Sequence, residues 1–143
     1  MMAELTALRE RVTKDPKDAA AWTRLGNLFQ DAGMYDRAVE MYGRVLELRP
    51  TDANVLTDTG ICYREMKDFD RALASFEKAQ TADPANWQSL YNIAVVSALD
   101  LRRFDRADAA LARLGEVRPG DPNVAELRQA IETARSAPAP ATR

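Results

Sequence analysis

Apolar residues return along this chain at helical spacing, in segments separated by short polar breaks. Trp22, Leu25, Gly26 and Phe29 mark one side of a helix, and Leu56, Thr59, Gly60 and Tyr63 repeat it at the same offsets. Leu90, Ile93, Ala94 and Ser97 give a third version. After each comes a short turn and then a second helix that opens on YDRA or FDRA, at Tyr35, Phe69 and Phe104. The packing side of that second helix reads Ala38, Tyr42 and Val45, then Ala72, Phe76 and Ala79, then Ala107, Leu111 and Leu114. A small residue recurs where a neighbouring helix must come close, and a large one where space must be filled. Asp36, Asp70 and Asp105 fall in the first turn of these helices, where negative charge suits the positive end of the dipole.

The breaks share one chemistry. Pro16, Pro50, Pro84 and Pro119 recur at intervals of 34, 34 and 35 residues. Two residues after each stands a side chain suited to capping a helix: Asp18, Asp52, Asn86 and Asp121. Pro122 then takes the first helical position, where its missing N–H costs nothing. Three units are predicted over 18–52, 53–86 and 87–120, the third with one extra residue in its turn around Asp100–Arg103.

A stack of such units leaves its two end faces uncovered. Leu5, Leu8 and Val12 predict a covering helix over 2–14, in a capping segment 1–17. Val124, Leu127, Ile131 and Ala134 predict another within 121–135. The total is eight helices, an all-α architecture. SAPAPATR, over 136–143, reads as a disordered tail.

Composition narrows the chemistry. A net charge of −2 argues against a nucleic-acid binder, and the absence of histidine removes the commonest general base and zinc ligand. Cys62 is the only cysteine and lies in the apolar helical stretch GICYREM, so a buried, inert thiol is expected. No apolar run is long enough to span a bilayer, and MMAELTALRE lacks the pattern of a signal peptide. The doubled Met suggests a sequence that begins inside a longer one. A soluble module is expected, cytoplasmic, or periplasmic if an upstream anchor has been removed. No phosphate loop, nucleophile elbow or metal-ligand pair occurs, so neither enzyme activity nor a cofactor or metal is expected. Asp68 with Asp70, and Asp105 with Asp108, read as solvated helix surface.

Trp22, Leu25, Gly26, Phe29, Ala38, Tyr42 and Pro50 together resemble the 34-residue tetratricopeptide repeat signature. Gly60, Tyr63, Ala72, Phe76, Ala79 and Pro84 match it nearly as well, whereas Ala94 and Ser97 depart from it. The resemblance covers about residues 19–120 and implies a right-handed superhelix of antiparallel helices. LTDTGICYRE and the extended third unit are also similar to bacterial tetratricopeptide modules of membrane-anchored assembly factors, such as those of cytochrome c maturation.

The resemblance further implies a concave groove lined by the first helix of each pair, holding a peptide or helix of a partner protein. Its positions in this chain are Thr23, Asn27 and Gln30, then Asn54, Thr57, Asp58, Ile61 and Arg64, then Gln88, Tyr91, Asn92 and Val95. Asn27, Asp58 and Asn92 are expected to converge. Some family members clamp chaperone C-terminal carboxylates with lysines, asparagines and an arginine. The matching positions here are Thr23, Asn27, Asp58, Gln88 and Asn92, which hold no cation, and Asp58 would repel a carboxylate. A basic or neutral partner segment suits the set better. The aromatic residues Trp22, Phe29, Tyr42, Tyr63, Phe69, Phe76 and Phe104 fall at packing positions, and Trp87 is expected to pack between the second helix of unit two and the first of unit three. The alternative to partner binding is self-association into a homo-oligomer, for which an apolar patch around Leu5, Leu8 and Val12 would be the mark.

Overall fold

A computed structural model describes residues 2–140 of the chain. Eight α-helices run in order: α1 Met2–Lys14, α2 Ala19–Asp31, α3 Tyr35–Leu48, α4 Ala53–Glu65, α5 Phe69–Ala82, α6 Trp87–Val95, α7 Phe104–Val117 and α8 Pro122–Ser136. A π-helical segment, Val96–Asp100, continues α6. Among the described residues there is no strand, and no helix is long and apolar enough to cross a membrane. Ala137–Pro140 are non-helical, and 141–143 of the expected tail lie outside the described residues.

The caps act as their residue types require. Asp18, Asp52, Asn86 and Asp121 accept from the N–H groups of Ala21, Val55, Ser89 and Asn123 at 2.8–3.1 Å. A further cap was not legible as such. Asp68 accepts from the Arg71 N–H at 3.2 Å and so starts α5, rather than being plain solvated surface.

Helices α2 and α3, α4 and α5, and α6 and α7 pack as hairpins. Each turn passes through one left-handed residue: Gly33 (φ 74°), Lys67 (φ 64°) and Arg102 (φ 53°). In the first two, the N–H of Met34 or Asp68 reaches back five positions, to Phe29 or Tyr63. In the third, the Arg103 N–H reaches Ser97. The extra residue is thus absorbed before the turn, in the widened coil of Val96–Asp100, and not in Asp100–Arg103 itself. That keeps Arg102 at the corner and α7 in phase with α6. It also leaves Ser97, at the aromatic position of the earlier units, fully buried with its hydroxyl unpartnered. Ser97→Ala is therefore expected to raise stability by up to about 1 kcal/mol, since it removes an unsatisfied polar group. Urea denaturation would measure it, and a clear loss would show that the hydroxyl has a partner.

Two apolar clusters form the core. One joins Leu5, Leu8 and Val12 of α1 to Leu25, Phe29, Tyr42, Val55 and Cys62. The other joins Phe76, Leu90, Ile93, Leu111 and Leu114 to Val124, Leu127 and Ile131 of α8. Both end helices are thereby docked. Helix α4 serves both sides: Val55 and Cys62 belong to the first cluster, while Ile61 and Tyr63 pack on the second. Beside the second cluster, between α4, α6 and the start of α8, a cavity opens.

Candidate functional site

The cavity has a volume of about 490 Å³. Its α4 wall is Asn54, Thr57, Asp58 and Ile61. Trp87, Gln88, Tyr91 and Asn92 supply the α6 wall, and Asn123 at the start of α8 closes the far side. Helical spacing makes the two long walls, because residues three and four apart share a face. The volume lies within the range of roughly 300–1,000 Å³ common to ligand sites.

Several polar groups here already have partners. Thr57 is buried and donates its hydroxyl to the Ala53 carbonyl at 2.8 Å. Asn54 Oδ1 accepts from Asn86 Nδ2 at 3.3 Å. Asn92 turns its NH2 back to the Gln88 carbonyl at 2.8 Å, which leaves its oxygen open. Asp58 differs from all of these. Among the described residues it forms no salt bridge, and burial raises its carboxyl from an ordinary 3.8 to about 6, with the charges of Asp52 and Asp31 adding to the rise. Arg64 pairs with Asp100 at 2.7 Å, and Arg118 pairs with Asp121 at 3.2 Å while stacking 4.7 Å from the Trp87 ring.

Seven of the residues expected from the sequence meet in this cavity: Asn54, Thr57, Asp58, Ile61, Gln88, Tyr91 and Asn92. The other five lie elsewhere. Thr23 donates to the Ala19 carbonyl at 2.9 Å. Asn27 and Gln30 both serve the buried Tyr42 hydroxyl, whose oxygen stands 2.7 and 2.6 Å from their amide oxygens. Arg64 holds α4 to the π-helical segment, and Val95 is in the core. The expected convergence therefore includes Asp58 and Asn92 but not Asn27.

The residues lining the cavity include no histidine, cysteine or serine, and Asp58 is the one acid among them. Among the described residues no cluster of His, Cys, Asp and Glu could hold a metal ion. Cys62 is fully buried, and burial, with lesser contributions from Asp58 and Glu65, pushes its thiol up to about 12.

Models of the tetratricopeptide repeat match residues 17–85 and 63–131, which together take in most of the chain. The chain belongs to the tetratricopeptide repeat family. Anaphase-promoting complex subunit 3 of Schizosaccharomyces pombe is 27% identical over 119 residues, covering 83% of this chain and 18% of that protein. An uncharacterized protein, ycf37, of Guillardia theta is 27% identical over 97 residues, covering 64% of this chain and 54% of that protein. The chain spans less than a fifth of the length of the first curated relatives it matches. Among solved structures, MamA superposes with a TM-score of 0.78 at 17% identity, covering 92% of this chain and 82% of that one. The first repeat domain of Spaghetti (RPAP3) bound to the HSP90 peptide SRMEEVD does so with 0.77 at 19%, covering 86% and 97%. At such identities these structures show the fold.

The tetratricopeptide register explains which residues meet. Asn54, Gln88 and Asn123 are successive equivalents at the intervals set by the prolines, so α8 continues the series of groove-lining helices. Extending that period past the third unit would have found Asn123. Asn27 is equivalent to Ile61 and Val95, whereas Asp58 and Asn92 are equivalent to Arg24, three positions earlier. Trp87 packs on the second cluster, as expected of an interhelix residue, and is also half-buried at a wall of the cavity. It occupies the position of Ala19 and Ala53, so a bulky residue where two equivalents are small was its available signal.

Proposed function

We propose that this chain is a non-catalytic scaffold that holds a peptide or helix of a partner protein in the groove between α4, α6 and α8. The observation that carries the reading is Asp58, a half-buried carboxylate with no counter-charge among the described residues, at the side of a cavity walled by Trp87, Tyr91 and Ile61. A buried acid without a partner is costly, and sites that tolerate such a cost are often sites of function. Aromatic walls with hydrogen-bonding tips are typical anchoring surfaces for proteins. The RPAP3 domain binds an acidic peptide. Asp58 disfavours a ligand of that charge here and favours a basic or neutral one. Self-association through Leu5, Leu8 and Val12 would require these residues to leave the core they share with α2.

The test is comparative capture from a lysate of the source organism. Wild-type protein is expected to retain a specific partner that Tyr91→Ala and Asn123→Trp both lose. Glu47→Lys, an exposed change on α3 away from the cavity, should retain it. Equal recovery of every partner by all four proteins would contradict the groove.

A further inference from the structure

We infer that the cavity between α4, α6 and α8 is a specificity pocket for one lysine or arginine side chain of the partner. This rests on the groove reading and adds a chemical class to it. The walls and the polar groups divide the labour. Ile61, Tyr91 and Trp87 offer apolar surface along which the methylene stem of a long cationic side chain lies. Asp58 and the open oxygen of Asn92 are acceptors, and an ammonium or guanidinium group is a donor only. The Tyr91 ring adds attraction for a cation at close range, the Trp87 ring being already faced by Arg118.

The surroundings of Asp58 point the same way. Asp31 on α2 and Asp52 at the start of α4 both add negative potential. The groups from its other neighbours, the Tyr42 hydroxyl on α3 and the Cys62 thiol on α4, both resist ionisation. Arg64 of α4 is engaged with Asp100, and Arg118, over the Trp87 ring, with Asp121. Among the described residues no base forms a salt bridge with Asp58 or lowers its carboxyl, so a pairing cation is one the ligand supplies. A neutral side chain would cover the carboxylate without pairing it, and an acidic one would oppose three carboxylates.

Random dodecapeptides displayed on phage and selected on the whole chain at neutral pH test this. Peptides that bind the wild type and fail on Asn123→Trp, a block at an exposed rim position, define groove ligands. Those peptides are expected to share a lysine or arginine at one position. Exchange of that residue for norleucine should weaken binding about tenfold or more, a charge-pair effect of ordinary size. Asp58→Asn should weaken the parent peptides to a similar extent and leave the norleucine versions unchanged or bound more tightly, since they no longer cover an unpaired charge. Groove ligands without a shared cation, or ones indifferent to norleucine exchange, would overturn the inference and leave the groove intact. A selection yielding no binders, or only binders indifferent to Asn123→Trp, would overturn the groove and this inference together. Urea denaturation of both variants establishes that they fold. If Asn123→Trp does not, Gln88→Trp at the opposite exposed rim takes its place.

Discussion

Phe76→Ala is expected to lower the unfolding free energy by about 3–5 kcal/mol, the usual cost of emptying an aromatic site in a closed core. Phe76 is fully buried, and its ring lies against Gly60 so closely that a methyl there would stand 2.5 Å from Cε1. Gly60→Ala gains about 1 kcal/mol of helix propensity, yet it drives a buried ring off its rotamer, at a cost of about 1–3 kcal/mol or more. A net loss is expected. The two changes together should be far less harmful than their sum, because the new methyl enters space the ring has vacated. A double-mutant cycle in urea is expected to show coupling of about 2 kcal/mol. Strict additivity would contradict the contact on which the α4–α5 hairpin is built. The same arrangement recurs at Gly26, where an added methyl would stand 2.4 Å from Tyr42 Cε1.

Asp58→Asn is expected to have the opposite sign. Burial, helped by the charges of Asp52 and Asp31, raises the folded-state carboxyl from 3.8 to about 6. The folded state therefore holds this proton more tightly than the unfolded chain does. Stability from this group is complete below about pH 4, falls as pH rises towards 6, and stays reduced above it. At neutral pH the ionised group costs about 1–3 kcal/mol, at 1.36 kcal/mol per unit and with allowance for its partial solvation. The amide mimics the protonated form. The Asp58→Asn protein should thus exceed the wild type in urea denaturation at pH 7.5, and the two should converge at pH 4. A wild-type protein that is the more stable at pH 7.5 would mean that Asp58 has a stabilising partner. Gain in stability with loss of ligand is the expected signature of a residue retained for binding.

The hairpins were legible in the sequence because each level of the code agrees. Asp18, Asp52, Asn86 and Asp121 cap where the prolines stop the preceding helix, and Gly26 and Gly60 stand small where Tyr42 and Phe76 stand large. Docking of Leu5 and Ile131 followed from helical spacing alone. The π-helical segment was not legible, since an insertion can be taken up anywhere along a helix end, and the choice depends on holding α7 against α6. The groove was legible by half. Residues on α4 and α6 share a face by spacing, but which of them remain available depends on pairings formed only on folding. Tyr42 engages Asn27 and Gln30, and Asp100 engages Arg64. Asn123 joined the site because α8 packs as a further helix in the series, and an end helix looks in sequence like a mere cover.

Site-specific photocrosslinking probes the groove most directly. A compact diazirine amino acid, close to glutamine in bulk, is placed at Gln88, exposed at the cavity rim, and in a separate protein at Lys78, exposed on α5. Irradiation in the source lysate is expected to give a discrete adduct from position 88, suppressed by Tyr91→Ala, and none from position 78. Adducts from position 78 alone, or an adduct at 88 indifferent to Tyr91→Ala, would contradict partner binding in the groove.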